Sequence, residues 1–374
     1  MSSKLKIIFF IISFIISILI IRYLNVDKDF SNFALGKETT TVYAKDVQDR
    51  LIHVSSIDSL NKQTILHVWN SNGNKDVSLV LGNSQTHSIN QIKTNDVNYL
   101  EILDKRMTDR QIIGNTYPNA SLQDFLIAYF YWKNILPVKD VFIPLFFDDM
   151  RELNGINYDF YPALVKENFK FNSDNELLNK LNLNFKLKSE KVDSSKTEKK
   201  STQDLTEEFF NSFLNKHWEL VWGKRKDIQS LIYSQLYLFR NYIFNITPSS
   251  IRKKIPERYF NNMSALDLII NDAVSNKINL FLYIPPIRND VKIPYDLDDY
   301  NKFKEEIKFK SNNYNAHIHF VDFSNIVPAK FFGFKSSTSL NNNNKELDFM
   351  HFQFSGHQIL GDSLLNFYNS KKNK

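Results

Sequence analysis

Asp76–Asn90 reads DVSLVLGNSQTHSIN. Its first seven residues, DVSLVLG, are compact, branched and closed by a turn residue, the pattern of a short buried strand. The apolar run then stops at Gly82-Asn83-Ser84, and polar residues with a histidine follow. Two readings compete here: a surface turn that happens to contain serine, or a serine held at a strand tip for attack on an ester. The second requires a base from elsewhere in the chain.

Working outward, strand patterns recur at RQIIGN (Arg110–Asn115), DVFIPLFF (Asp140–Phe147), KINLFLYIPP (Lys277–Pro286) and AHIHFVDF (Ala316–Phe323), and TILHVW (Thr64–Trp69) alternates like an edge strand. Apolar helical patterns intervene, notably SLQDFLIAYFYWKNIL (Ser121–Leu136), where Ser121 and Asp124 suit an N-cap and first turn. Strands alternating with helices predict an α/β domain, flavodoxin-like and three-layered (α/β/α) with a mainly parallel sheet, spanning 76–374 after a linker and extension at 25–75. A helical insertion interrupts it at about 154–271. Within that insertion, KLKSEKVDSSKTEKKSTQ (Lys186–Gln203) carries six lysines against three acids and predicts a mobile loop. A long helical pattern covers Leu205–Phe244, its aromatics spaced as packing residues. Asn341–Asn344 is a short low-complexity loop.

Leu5–Leu24 is almost wholly apolar, with IIFFIISFIISILII at Ile7–Ile21 bracketed by Lys4, Lys6 and Arg22. A core helix is not apolar on every face, and a bilayer span needs about 20 residues. A cleavable signal would end in small residues, whereas IIRYLNV follows here, so an uncleaved transmembrane signal anchor is expected. The N-terminus is then cytoplasmic and the bulk extracytoplasmic, at a bacterial inner (cytoplasmic) membrane. The chain of 374 residues has no cysteine, which excludes disulfides and thiol chemistry without locating the compartment. A net charge of +6 reads as a lysine-rich solvated exterior.

The tail, ELDFMHFQFSGHQILGDSLLNFY (Glu346–Tyr368), supplies the missing base. Asp348 and His351 stand three residues apart, a spacing that lets a carboxylate hold one imidazole nitrogen while the other faces a serine. Together, Gly82-Asn83-Ser84 and Asp348-x-x-His351 resemble the first and last blocks of the SGNH, or GDSL-like, hydrolase superfamily, and Ser355-Gly356 strengthens the likeness. The resemblance implies Ser84 as nucleophile, His351 as general base and Asp348 as its orienting acid. It also implies oxyanion donors from the backbone N–H groups of Ser84 and of Asn119, which takes the place of the family's second-block glycine in NTYPNAS. The third-block asparagine is replaced by Asp148 in FFDDMR, and an ionised carboxylate cannot donate to an oxyanion. Losing one such donor costs about 10² to 10³ in rate.

Other residues carry milder readings. His87 is a rival base or a polar residue near a helix start; His357 is a surface or helix-face residue, and His67 a strand residue. Asp148 and Asp149 form a strand-end polar pair that Arg151 can bridge, and Pro285, Pro286 and Arg288 end a late strand as a turn or line the cleft. Phosphate-cradling glycine loops, zinc-ligand spacings and base-stacking motifs are absent, which disfavours nucleotide and nucleic-acid partners; no cofactor and no metal are implied.

The expectation is a membrane-anchored, extracytoplasmic serine esterase or O-acyltransferase acting on an acylated envelope polysaccharide or similar polymer. The resemblance extends to anchored relatives that modify cell-surface polymers beside a membrane-bound O-acyltransferase, a possible partner here. A noncatalytic accessory protein of such a system is the rival class, and a lipid esterase is a third reading.

Overall fold

The computed structural model describes residues 40–42, 52–151, 161–167, 169–172, 175–197, 202–217, 225–247, 249–314, 317–335 and 345–372. The expected anchor and the Asn341–Asn344 loop lie outside them. Among the described residues, no helix is long and apolar enough to cross a membrane. Two compact units divide the chain: one contains Asp193–Thr247 and Lys335–Glu346, the other Glu38–Val192, Pro248–Phe334 and Leu347–Lys374.

In chain order the strands are β1 (Thr40–Val42), β2 (Ile52–Val54), β3 (Val77–Gly82), β4 (Ser88–Asn90), β5 (Gln111–Thr116), β6 (Val138–Pro144), β7 (Asn279–Ile284), β8 (Ile318–Asp322), β9 (Phe332–Lys335) and β10 (Glu346–Phe352). The helices are α1 (Ser59–Ser71), α2 (Ser84–His87), α3 (Tyr99–Arg106), α4 (Leu122–Lys133), α5 (Pro162–Lys166), α6 (Glu176–Thr197), α7 (Thr202–His217), α8 (Arg225–Ile243), α9 (Pro256–Ser275), α10 (Leu297–Asn312) and α11 (Phe354–Lys372).

Six strands form one sheet in the order β2-β5-β3-β6-β7-β8, every neighbouring pair parallel. The run β5-β3-β6-β7-β8 is the flavodoxin-like order 2-1-3-4-5, with β2 added outside. Period-two alternation sends successive side chains to opposite faces. Leu79, Leu81, Ile113, Val141, Ile143, Leu280 and Leu282 join α1, α4, α9 and α10 in one core. Val80, Ile112, Phe142, Phe281 and Tyr283 join α3 and α11 in the other. The expected three-layer α/β architecture follows from these two cores.

Three local expectations are corrected. TILHVW lies inside α1: Asp58 caps the helix by accepting from Asn61 N–H, and Ile65 and Val68, three residues apart, bury one helical face. His67 is therefore a helix residue. Lys186–Thr197 continues α6 instead of looping, because Leu177, Leu178, Leu181 and Phe185 bury the start of that helix and extending a formed helix costs far less than nucleating one. Lys186 and Glu190 face each other at one-turn spacing, 3.9 Å apart. The 205–244 pattern forms α7 and α8, yet Phe209, Phe210, Phe213, Ile232, Tyr233, Leu236 and Phe239 are exposed. Helical spacing gathers apolar side chains on a face, but burial also requires an element opposite that face.

Helix α4 shows how the core is held. Ser121 Oγ accepts from Asp124 N–H at 3.3 Å, while the Asp124 carboxylate accepts from Ser121 N–H at 2.8 Å and from Tyr161 Oη at 2.7 Å. Ser121 Oγ also donates to Asp124, at 2.7 Å, so a buried acid and a helix start satisfy each other. Replacing Ser121 by Ala removes the cap and one donor to that acid. Urea unfolding should show a loss of about 1 to 2 kcal/mol, and an unchanged midpoint would mean the box is replaceable.

Candidate active site

Strand β3 ends at the point where the sheet order reverses, between β5 and β6, and ligands of open α/β sheets bind beyond the strand ends at such a point. Gly82 closes the strand. A Cβ there would stand 2.3 Å from Thr86 Oγ1, so only glycine lets the chain fold back directly into α2. Asn83 caps that short helix: its side-chain oxygen accepts from Gln85 N–H at 3.1 Å, and its Nδ2 donates to both Asp149 oxygens at 3.0 Å. Ser84, the first helical residue, is half-buried.

His351 Nε2 lies 3.0 Å from Ser84 Oγ, across 267 residues of sequence. Its Nδ1 lies 3.0 Å and 3.2 Å from the two oxygens of Asp348. An ionised carboxylate only accepts, so Nδ1 carries the proton and Nε2 is left to accept from the serine hydroxyl. Asp348 is 3 % exposed and His351 8 %. Burial pushes the Asp348 carboxyl up, but the charge and hydrogen bond of His351 and the backbone N–H groups of His351 and Met350 outweigh it and bring the pKa down to about 2.

Further side chains tie the surrounding segments together. Gln85, next to the serine, donates through Nε2 to the carbonyls of Pro286, at 2.8 Å, and Met350, at 2.6 Å. It thereby joins the segments after β3 and β7 to the histidine segment. Arg288, beyond Pro286, donates its backbone N–H to Phe349 O at 3.0 Å and its guanidinium to Asp290, so the Pro285–Arg288 stretch borders the site. Thr86 Oγ1 meets Tyr99 Oη at 2.8 Å, and Tyr99 Oη meets Tyr283 Oη at 3.0 Å, tying α2 to α3 and β7. A glutamine or threonine beside a serine has no sequence signature, so only the fold reveals these ties.

The remaining expected residues have the following surroundings. Asn119 is exposed and adopts φ +58, the left-handed conformation that a glycine would take. Asp148 bonds Arg252 closely, stands 3.5 Å from Arg151 and accepts from Tyr295 Oη at 3.2 Å. Its carboxylate is thus engaged in an ion-pair cluster. His87 Nδ1 lies 3.1 Å from Thr116 Oγ1, which also meets His53 Nε2 at 2.7 Å. His357 is fully buried, a correction to its surface reading: it stacks on Tyr99 at 5.9 Å and donates from Nε2 to Ser88 O at 3.1 Å. Burial lowers the pKa of His53 to about 3, His87 to about 4 and His357 to about 3; His87 also lowers His53, and for His357 the Ser88 carbonyl opposes the shift while His351 adds to it.

No known family model matches the chain, and no curated protein matches it. Among solved structures it is similar to a "putative acylhydrolase" from Bacteroides fragilis NCTC 9343, at 13% identity and a TM-score of 0.36, with 84% of this chain and 98% of that chain covered.

Two pH effects follow from these shifts. Asp348 is depressed from 3.8 to about 2, so its charge contributes on the order of 2 kcal/mol of stability above pH 4, lost as pH falls through about 2. The stability gap between the native chain and Asp348→Asn should therefore be constant above pH 4 and close below it in acid-unfolding curves. A gap that closes near pH 5 would contradict the assigned donors. The lowered histidines act at higher pH: an unfolded chain binds protons there that the native state refuses, so stability falls as pH drops below about 6.5. His357→Asn should flatten that slope between pH 6.5 and 4 in urea titrations, and an unaltered slope would exclude His357 from it.

Proposed function

We propose that the chain is a serine esterase or O-acyltransferase that works through an acyl-enzyme. The observation carrying this reading is the continuous relay from Ser84 Oγ to His351 Nε2 and from His351 Nδ1 to Asp348. As Ser84 Oγ attacks an acyl carbonyl, His351 takes its proton, and the buried carboxylate stabilises the imidazolium that forms. Collapse of the tetrahedral intermediate expels the alcohol, which leaves with the proton from His351. A water or sugar hydroxyl then attacks the acyl carbonyl and gives its proton to the same nitrogen; collapse breaks the bond to Ser84 Oγ, which takes that proton back as the acid or new ester leaves. The backbone N–H groups of Ser84 and Asn119 are the proposed oxyanion donors, a role that the left-handed φ of Asn119 supports.

The proposed setting is the outer side of a bacterial inner membrane, on an acylated envelope polysaccharide; its support is the apolar run Leu5–Leu24. A membrane-bound O-acyltransferase is the proposed companion if transfer, not hydrolysis, is the reaction.

A fluorophosphonate probe should label the native protein and leave Ser84→Ala unlabelled, and p-nitrophenyl acetate should be turned over with the same dependence. Asp348→Asn should lower kcat by about 10⁴, since the imidazole then loses its orienting acceptor. Absence of labelling in the folded native protein would transfer support to the noncatalytic accessory reading.

A further inference from the structure

Asn90 is completely buried at the end of β4, where β1 pairs with it through Thr40. Its Nδ2 donates to Asp348 Oδ2 at 3.1 Å and to Phe334 O at 3.1 Å. Both partners are acceptors, which fixes the orientation of the amide: turned over, its oxygen would face a carboxylate and a carbonyl. The amide oxygen instead points at Gly333. It makes no hydrogen bond among the described residues, and a Cβ at 333 would stand 2.0 Å from it.

This arrangement is poor as a stability device. A buried, unbonded carbonyl costs free energy that a well-packed leucine would avoid. What the asparagine supplies is a neutral donor to the same carboxylate oxygen that holds His351 Nδ1. The other oxygen of Asp348 accepts backbone N–H groups of Met350, at 2.9 Å, and His351, at 3.0 Å. With Asn90, donors come from two separate elements, and the carboxylate plane can neither rotate nor swing away from the imidazole. A cation in that place would compete with His351 for the negative charge; an amide leaves that charge for the imidazolium.

We infer that Asn90 is a positioning residue for the catalytic acid, acting on Asp348 through Oδ2, and that Gly333 is glycine to make room for its amide. The inference rests on the triad reading above and extends it to a fourth side chain. Asp348 is faced by His351 on its own segment and by Asn90 from β4. Nearby, Arg288 points its guanidinium at Asp290 and Gly333 O, and His357 is held by Ser88 O.

The test uses Asn90→Leu and the near-isosteric Asn90→Asp in the full chain. First the native protein is checked for fluorophosphonate labelling. If it labels, Asn90→Leu should lower kcat for p-nitrophenyl acetate by about 10- to 100-fold, the worth of one hydrogen bond to a charged group, with KM nearly unchanged. Asn90→Asp should lose activity as pH rises from 5 to 8, because two adjacent carboxylates share one proton at low pH and repel at high pH. Unchanged kcat and pH profile in both folded variants overturn the inference while leaving the triad reading intact. If the native protein does not label, the catalytic reading fails instead, and acid unfolding decides the Asn90 contact alone. Asn90→Leu should then begin losing stability at a higher pH than the native chain, and coincident acid limbs overturn the contact. Should Asn90→Leu not fold, Asn90→Asp supplies the same readouts.

Discussion

A carboxylate taken out of water remains a carboxylate only where donors replace the water. Asp348 meets that condition with two backbone N–H groups, an imidazole N–H and an amide. Everything else at the site follows from its being an acceptor. It decides which imidazole nitrogen holds the proton, and therefore which nitrogen can face a serine. Remove the charge and the ring is free to adopt the opposite tautomer, with a donor pointing at a hydroxyl that needs an acceptor.

The sheet determines where this carboxylate can be used. Strand order reverses at β3, the point beyond which open α/β sheets bind ligands, and a glycine that cannot tolerate a side chain turns the chain into α2 there. Ser84 thereby follows directly on the end of β3. Because His351 arrives from the other end of the chain, it needs its own tether, and Gln85 supplies one beside Ser84 itself. The distance between Ser84 and His351 is thus set by a short hydrogen-bonded link and does not depend on the long segment between them.

Much of this was legible in advance, and the failures share a cause. Local periodicity located β3, β5, β6, β7 and β8 and the capping box at Ser121, because alternation and caps are properties of neighbouring residues. The Gly82-Asn83-Ser84 turn and the Asp348/His351 spacing are also local, so the candidates could be named. TILHVW misled because six residues alternate acceptably while a longer window, from Asp58 to Ser71, is helical. The lysine-rich end of α6 misled because composition ignores a helix already anchored by Leu177 and Phe185. The burial of His357 and the roles of Gln85 and Asn90 could not be read. Their partners lie 269, 265 and 258 residues away, and a polar residue in a strand or helix looks the same whether it meets solvent or a buried partner.

The serine enters the growing chain long before its imidazole, since β3 and α2 are made early and β10 and α11 last. Until the final strand and helix dock, the hydroxyl is an ordinary alcohol with no proton acceptor in reach. A chain that stops after β8 would hold all six strands of the sheet but neither Asp348 nor His351. The hydroxyl thus gains its imidazole partner from a strand outside the six-stranded sheet, so completing that sheet and completing the Ser84–His351 contact are separate events.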